Sequence, residues 1–335
     1  MKKIILTSIF STLVCVASFG QTLYRSILSH NGSLTQYDIN SWTDALTDAV
    51  DGDTIYFTTG TFPGDITITK KIALIGSGVC ESQAWYYSTS ELQEALGGSG
   101  TPSDNSTNFT GVVNIELDDS PTLTATMLEG INISNNVRIN KTVKNLKIKR
   151  CQISTLGTNV DEVSDESAKP DSLTLESCYI TTLMAGNLVD PLIYNCYFTN
   201  DHLYSQPLNF TNCSIDYTTS SVGCNYINCL LFQELSYGIN TFLNCIDCED
   251  HSDIGSTYTN CWTYYSGDGT RPWYWSKDYL SENEYIGNDG NVVGPLGGTA
   301  PFTFIPSQPY VSSSSVAYDA SSKILNVNIT VKKGK

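Results

Sequence analysis

Apolar and polar positions alternate in short runs along this chain, and between Leu146 and Trp262 one such run recurs seven times. In register it reads Leu146-Lys-Ile-Lys-Arg-Cys151-Gln-Ile, Leu173-Thr-Leu-Glu-Ser-Cys178-Tyr-Ile, Leu208-Asn-Phe-Thr-Asn-Cys213-Ser-Ile and so on through Cys196, Cys229, Cys245 and Cys261. In most copies the residues five and three before the Cys are apolar, as are the Cys and the residue two beyond it, which is the alternation of two strands with one buried face each. An offset of three separates the two runs, so the chain must turn a corner between them. Asn stands at that corner in five of the seven copies, at positions 195, 212, 228, 244 and 260, and Asn tolerates left-handed backbone. The steps from Cys to Cys are 27, 18, 17, 16, 16 and 16 residues. Two strands and a bend cannot close a core alone, but stacked at about 4.8 Å per coil they form a continuous one, so the pattern predicts a β solenoid. A two-helix repeat would need about 33 residues per unit and a different residue bias.

The flanks read differently. Met1-Lys-Lys3 and the apolar run Ile4 to Phe19, with small residues before Gln21, predict a secretory signal peptide over 1–20. Residues 21–40 read as an extended lead-in. A capping helix is expected over 41–50, with Trp42, Ala45, Leu46, Ala49 and Val50 on one face and Asp44 as the capping acid. Short strands follow at Thr54–Phe57, Ile66–Ile68 and Ile72–Ile75. The Gly/Ser/Thr/Asn-rich stretch 79–122 reads as an inserted loop in a solenoid spanning 21–265, and Thr155 to Asp171 as a smaller insertion. Residues 266–335 are expected to form a C-terminal cap and a β-hairpin, the latter from the alternation of Leu325, Val327, Ile329 and Val331 against a partner near Val316 to Tyr318.

The stretch from Asp44 to Ile55, with Gly60-Thr-Phe62 and Ile72-Ala-Leu-Ile-Gly76, resembles the opening cap and first coil of pectin-lyase-like right-handed parallel β-helix proteins. With the Asn-Cys coils the resemblance covers roughly residues 41–265. The segment Gly287 to Gly298 followed by Pro301-Phe302 is similar to one that closes many secreted bacterial β-helix proteins. The resemblance implies an all-β, right-handed parallel β-helix of three sheets, with an N-terminal capping helix and an irregular C-terminal cap carrying the hairpin. It says little about activity, because this fold hosts lyases, hydrolases, adhesins and proteins without known chemistry.

Composition narrows the chemistry. The formal charge is −16, or −18 without Lys2 and Lys3, which argues against nucleic acid and anionic polymers as partners. No other apolar run approaches the length of a membrane span. Seven of the eleven Cys share one repeat position, which predicts a buried ladder of free thiols; any disulfide should involve Cys80, Cys224 or Cys248. The basic residues Arg138, Lys141, Lys144, Lys147, Lys149 and Arg150 read as a solvated face, and the signatures of the resembled family's polygalacturonases are missing.

Three candidate sites remain. The aromatic block Trp262, Tyr264, Tyr265, Trp273, Tyr274 and Trp275 can stack on sugar rings, with Asp268 or Asp247 as polar contacts, or can plug the end of the solenoid. The acidic cluster Asp247, Glu249, Asp250 and Asp253, with His251, can hold a hard cation such as Ca²⁺ or supply two carboxylates for glycoside hydrolysis, or is a polar turn. The loop carrying Asp161, Glu162, Asp165 and Glu166, and His202 beside Asp201, read as exposed turns. No cofactor is expected. The leading expectation is a secreted, non-catalytic protein that binds a neutral polysaccharide or cell-surface glycan or acts as an adhesin-like structural element; a polysaccharide hydrolase or lyase is the alternative.

Overall fold

The computed structural model of the protein describes residues 24–79, 106–117, 123, 127–158, 170–184, 188–199, 207–216, 222–231, 239–247, 255–263, 277–303, 310–319 and 324–332. It is an all-β chain built on two long sheets, and each coil of the repeat gives one short strand to each. The first sheet runs from Thr54–Phe57 through Ala73–Ile75, Leu128–Glu129, Lys147–Lys149, Thr174–Glu176, Leu192–Tyr194, Asn209–Thr211, Asn225–Ile227 and Thr241–Leu243 to Thr257–Thr259, every neighbour parallel. The second runs from Gly60–Phe62 through Thr107–Phe109, Asn132–Ile139, Gln152–Gly157, Tyr179–Met184, Tyr197–Phe198, Ser214–Ile215, Leu230–Leu231 and Ile246–Asp247 to Trp262–Thr263, again parallel. In its first coils the strands Ile66–Ile68 and Val113–Ile115 continue beyond a further corner and join the second half of Asn132–Ile139. The interval 79–122 therefore holds a core strand, Thr107–Phe109, inside what reads as a loop, besides the strand Val113–Ile115 that the apolar alternation of Val113 and Ile115 predicts.

The register follows the repeat. Ile148 pairs with Leu175, and then Ile193, Phe210, Tyr226, Phe242 and Tyr258 follow coil by coil, in the same steps as the Cys residues. The corner between the sheets is left-handed in every one of these coils: Asn195, Asn212, Asn228, Asn244 and Asn260 have φ of 51° to 54°, and Arg150 and Ser177 take the same geometry in the two earlier coils. A second left-handed corner lies two residues before the first-sheet strands, at Asn145, Ser172, Asp190, Gly223 and Gly255. No single residue type fills it, so the repeat does not reveal it. Inside, Phe210, Tyr226, Phe242 and Tyr258 stack ring on ring at 5.2, 5.0 and 4.7 Å, with planes within 8° of parallel.

The Cys column lies in the core. Cys151, Cys178, Cys196, Cys213, Cys224, Cys229 and Cys245 are buried and Cys261 is half-buried, and all eight are free thiols. Several donate to carbonyls of the preceding coil, as Cys178 Sγ does to Ile148 O at 3.4 Å and Cys245 Sγ to Tyr226 O at 3.3 Å. Burial pushes the thiols of Cys151, Cys196, Cys229 and Cys245 well up, so they stay protonated at neutral pH. Cys224 is thus unbridged; Cys80 and Cys248 lie outside the described residues, as does the expected signal peptide.

The N-terminal region differs from the expected lead-in. Tyr24–His30 and Ser33–Asp38 form an antiparallel hairpin whose first strand pairs with Thr54–Phe57. Its two-residue turn, Asn31-Gly32, has both φ values positive, at 48° and 80°, the geometry that Asn-Gly favours between two strands. Helix α1 is also shorter than the expected 41–50, covering Asp44–Asp48, and Thr43 caps it without a side-chain bond. Lys70 explains the early stop: its Nζ donates to the carbonyls of Leu46, Thr47 and Ala49 at 3.1, 2.7 and 2.6 Å. Val50, expected on the buried face, is instead exposed, because the chain has left the helix and turned toward Asp53, which accepts its N–H at 2.8 Å. Trp42, Ala45 and Ala49 are buried, and the indole packs against Phe57, Phe62 and Phe109.

At the other end, helix α2 (Lys277–Glu282) and an irregular segment lead to the hairpin Tyr310–Asp319/Ile324–Lys332, in which Val316 pairs with Val327 and Tyr318 with Leu325 as the alternation predicts. No helix among the described residues is long and apolar enough to cross a membrane.

Substitutions at two positions test this architecture. Asn260 is exposed and left-handed, so Asn260→Ala is expected to cost about 1–2 kcal/mol in denaturant melts while Asn260→Gly costs almost nothing. Equal effects would remove the left-handed corner as the controlling feature. In the core, Cys178→Asp is expected to destabilise by several kcal/mol more than Cys178→Ala, since it buries an unpaired carboxylate.

Candidate functional site

Each side of the stack presents an outward row whose chemistry decides what it can meet. On the second sheet that row is Tyr179, Tyr197, Ser214, Leu230, Ile246 and Trp262. It is mostly apolar, and it is covered. Residues Tyr285 to Phe302 run back along it as a strap: Val292, Val293 and Leu280 of α2 pack on Leu230 and Ile246, and Phe302 packs edge-on to Tyr197 at 4.8 Å. The corner Asn side chains hold the strap down. Asn228 Nδ2 donates to Asn288 Oδ1 at 3.0 Å and its carbonyl accepts from Gly294 N at 2.7 Å. Asn195 Nδ2 donates to Pro295 O and Gly297 O, both at 2.9 Å. The approach is close enough to demand glycine: a Cβ on Gly287 would sit 2.5 Å from Asn228 Cγ, and one on Gly298 2.4 Å from Asn212 Nδ2.

The first sheet carries two different outward faces. In the early coils, Glu129, Lys149, Glu176 and Tyr194 stand in one row. Lys149 Nζ pairs with Glu176, Arg150 Nη1 with Glu129 Oε1 at 2.8 Å, and the Tyr194 hydroxyl donates to Glu176 Oε2 at 2.9 Å. Both carboxylates are buried. This corrects the reading of Lys149 and Arg150 as a solvated face: their strands place them one rung from buried acids, and pairing draws them in. Burial pulls the Glu176 carboxyl upward, but the Lys149 ammonium and the Tyr194 hydroxyl outweigh it and hold it below its ordinary value. Burial and the same bond push the Tyr194 phenol up. With Glu176 held ionised and engaged by Lys149 and Tyr194, the row ties neighbouring coils together.

From Leu192 onward the face changes. One row reads Leu192, Asn209, Asn225, Thr241 and Thr257, and the row beside it Tyr194, Thr211, Ile227, Leu243 and Thr259. None of these carries a formal charge, and the first row is exposed apart from the half-buried Asn225, whose Nδ2 donates to Asn209 Oδ1 at 2.8 Å. Exposed Val222 and Ile239 lie along the neighbouring corner. The unbroken parallel pairing and ring stack beneath make this the open, uncharged side of the stack among the described residues.

Of the residues singled out from sequence, Trp262 is half-buried at the end of the second sheet's outer row, edge-on to Tyr285 at 5.5 Å. Tyr264, Tyr265, Trp273, Tyr274 and Trp275 lie outside the described residues, as do Asp268, Glu249, Asp250, His251, Asp253, the Asp161–Glu166 loop and His202. Asp247 ends the strand Ile246–Asp247. Among the described residues no three His, Cys, Asp or Glu side chains are grouped to hold a metal ion. No protein-family model, curated protein or solved structure matches the chain.

The charged row makes a pH prediction. Because the folded carboxyl of Glu176 titrates below the ordinary value of 4.5, its contribution is complete above that value and is lost as the pH falls through the folded one. Glu176→Gln is expected to lower stability at neutral pH by about 3 kcal/mol and to flatten the fall in melting temperature on acidification. An unaltered acid limb would overturn the assignment.

Proposed function

We propose that the chain is a secreted, non-catalytic right-handed parallel β-helix, capped by α1 at its start and strapped along its second sheet by the C-terminal segment, that binds neutral glycan at or near the cell surface. The observation that carries the reading is the open face of the first sheet, two rows wide and free of formal charge over five coils, on a protein of net charge −16. Long-range repulsion disfavours acidic polymers, whereas Asn and Thr hydroxyl and amide groups beside Ile and Leu suit the mixed polar and apolar surface of an uncharged sugar. The paired state of Lys149 and Glu176 supports a binding role over a hydrolytic one at that row. The aromatic block beginning at Trp262 is proposed as a further sugar-stacking contact.

Affinity electrophoresis in gels containing neutral or acidic polysaccharides tests the proposal. Retardation is expected in at least one neutral polymer, not in polygalacturonate or alginate, and without release of reducing ends or unsaturated products. Retardation only by the acidic polymers, or turnover of any of them, would sink it.

A further inference from the structure

We infer that the open face of the first sheet is a binding site for an extended, uncharged β-1,4-linked glycan lying along the stack, with one sugar over each coil from Leu192 to Thr257. This rests on the glycan-binding reading above and adds to it a place, a direction and a linkage.

Four observations converge on that face. The outer side of the second sheet is occupied by the strap, through bonds to Asn195 and Asn228 and the packing of Phe302 on Tyr197, so a long ligand cannot lie there. Among the described residues the first sheet's face from Leu192 onward has no such cover, and its first row is exposed in four of five coils. It is flat along the stack: the rings directly beneath, Phe210 to Tyr258, stay within 8° of parallel over three successive steps. Finally, it is periodic. Equivalent side chains recur at the strand spacing of about 4.8 Å, and Asn209, Asn225, Thr241 and Thr257 occupy one register position.

A ligand that fits all four must be long, straight and repeating at nearly the same interval. A β-1,4-linked chain in its extended form advances by close to one coil spacing per sugar, with successive sugars turned over, so the chain stays along the two rows and alternate sugars meet them alike. An α-1,4-linked chain coils and leaves the face after a few sugars. The Asn and Thr side chains donate and accept with hydroxyls at the sugar edges. Ile227 and Leu243, half-buried between them, offer aliphatic contact to the C–H faces. Laid across the coils instead, a chain would meet only one three-residue strand. At the other end the face stops where Tyr194 is engaged by Glu176.

Isothermal titration with β-1,4-linked cello-, xylo- and chito-oligosaccharides of increasing length, against an α-1,4-linked series, tests this. Affinity is expected to tighten severalfold with each added sugar until the ligand spans five coils and then to level off, with no gain along the α-linked series. Thr241→Glu and, separately, Thr257→Glu place a charge on the face at exposed positions and are expected to abolish binding with little change in melting temperature. Binding that ignores chain length, or that survives both substitutions, would overturn this site while leaving the glycan reading standing. Failure of every neutral glycan to bind the unaltered protein would remove both.

Discussion

The left-handed corner between the two strands of each coil is the constraint on which the rest depends. Side chains alternate along a strand with a period of two, so an odd offset at a bend would turn the second strand's apolar residues outward. A single residue at positive φ absorbs the offset and keeps both runs inside. Asn does this at less cost than other chiral residues, and five successive coils use it. Arg150 and Ser177 show that the stack, and not the residue, dictates the geometry: each is held left-handed by the coils above and below, which outweigh its own preference.

Having turned the chain, the same Asn residues are employed a second time. Apart from that of the exposed Asn260, their amides are buried at the corner, and buried amides favour partners. Asn244 donates to Asn228 at 3.2 Å, while Asn228 and Asn195 turn to the strap. A position chosen for its backbone therefore also supplies the groups that bind the C-terminal segment. The charges are sorted in the same economical way. Ion pairs join the early coils through Glu129, Lys149, Arg150 and Glu176, and the later coils rely on rings and thiols inside and carry uncharged rows outside.

What repeats was legible in the sequence; what occurs once was less so. The strand rows, the Asn corner, the thiol column and the pairing of Val316 with Val327 all follow from spacing, because each coil restates the same pattern. The second corner was invisible, since Asn145, Ser172, Asp190, Gly223 and Gly255 share a conformation and no chemistry. The Asn31-Gly32 hairpin carried a readable signal that the extended lead-in overlooked. The shortening of α1 depends on Lys70, more than twenty residues away, and the pairing of Arg150 with Glu129 on which strands became neighbours. Contacts of that kind leave no local period. The candidate site was legible only in part: strands with one buried face imply outward rows, but their division into a covered apolar side, a charged stretch and an open neutral stretch emerges from the strap and the register together.

The strap changes how such a stack comes apart. A row of coils that touch only their immediate neighbours can fray from either end, one coil at a time, since each loses little when the next has gone. Here Asn195 is tied to Pro295 and Gly297 and Asn228 to Asn288, so one continuous segment spans several coils at once. Loosening any coil beneath it loosens the ties of the others, which couples their melting. Because that segment follows the coils in the chain, it is also synthesised after them. The coils must stack before there is a surface for it to grip, and the tie that makes the rod cooperative closes only on a rod already in register.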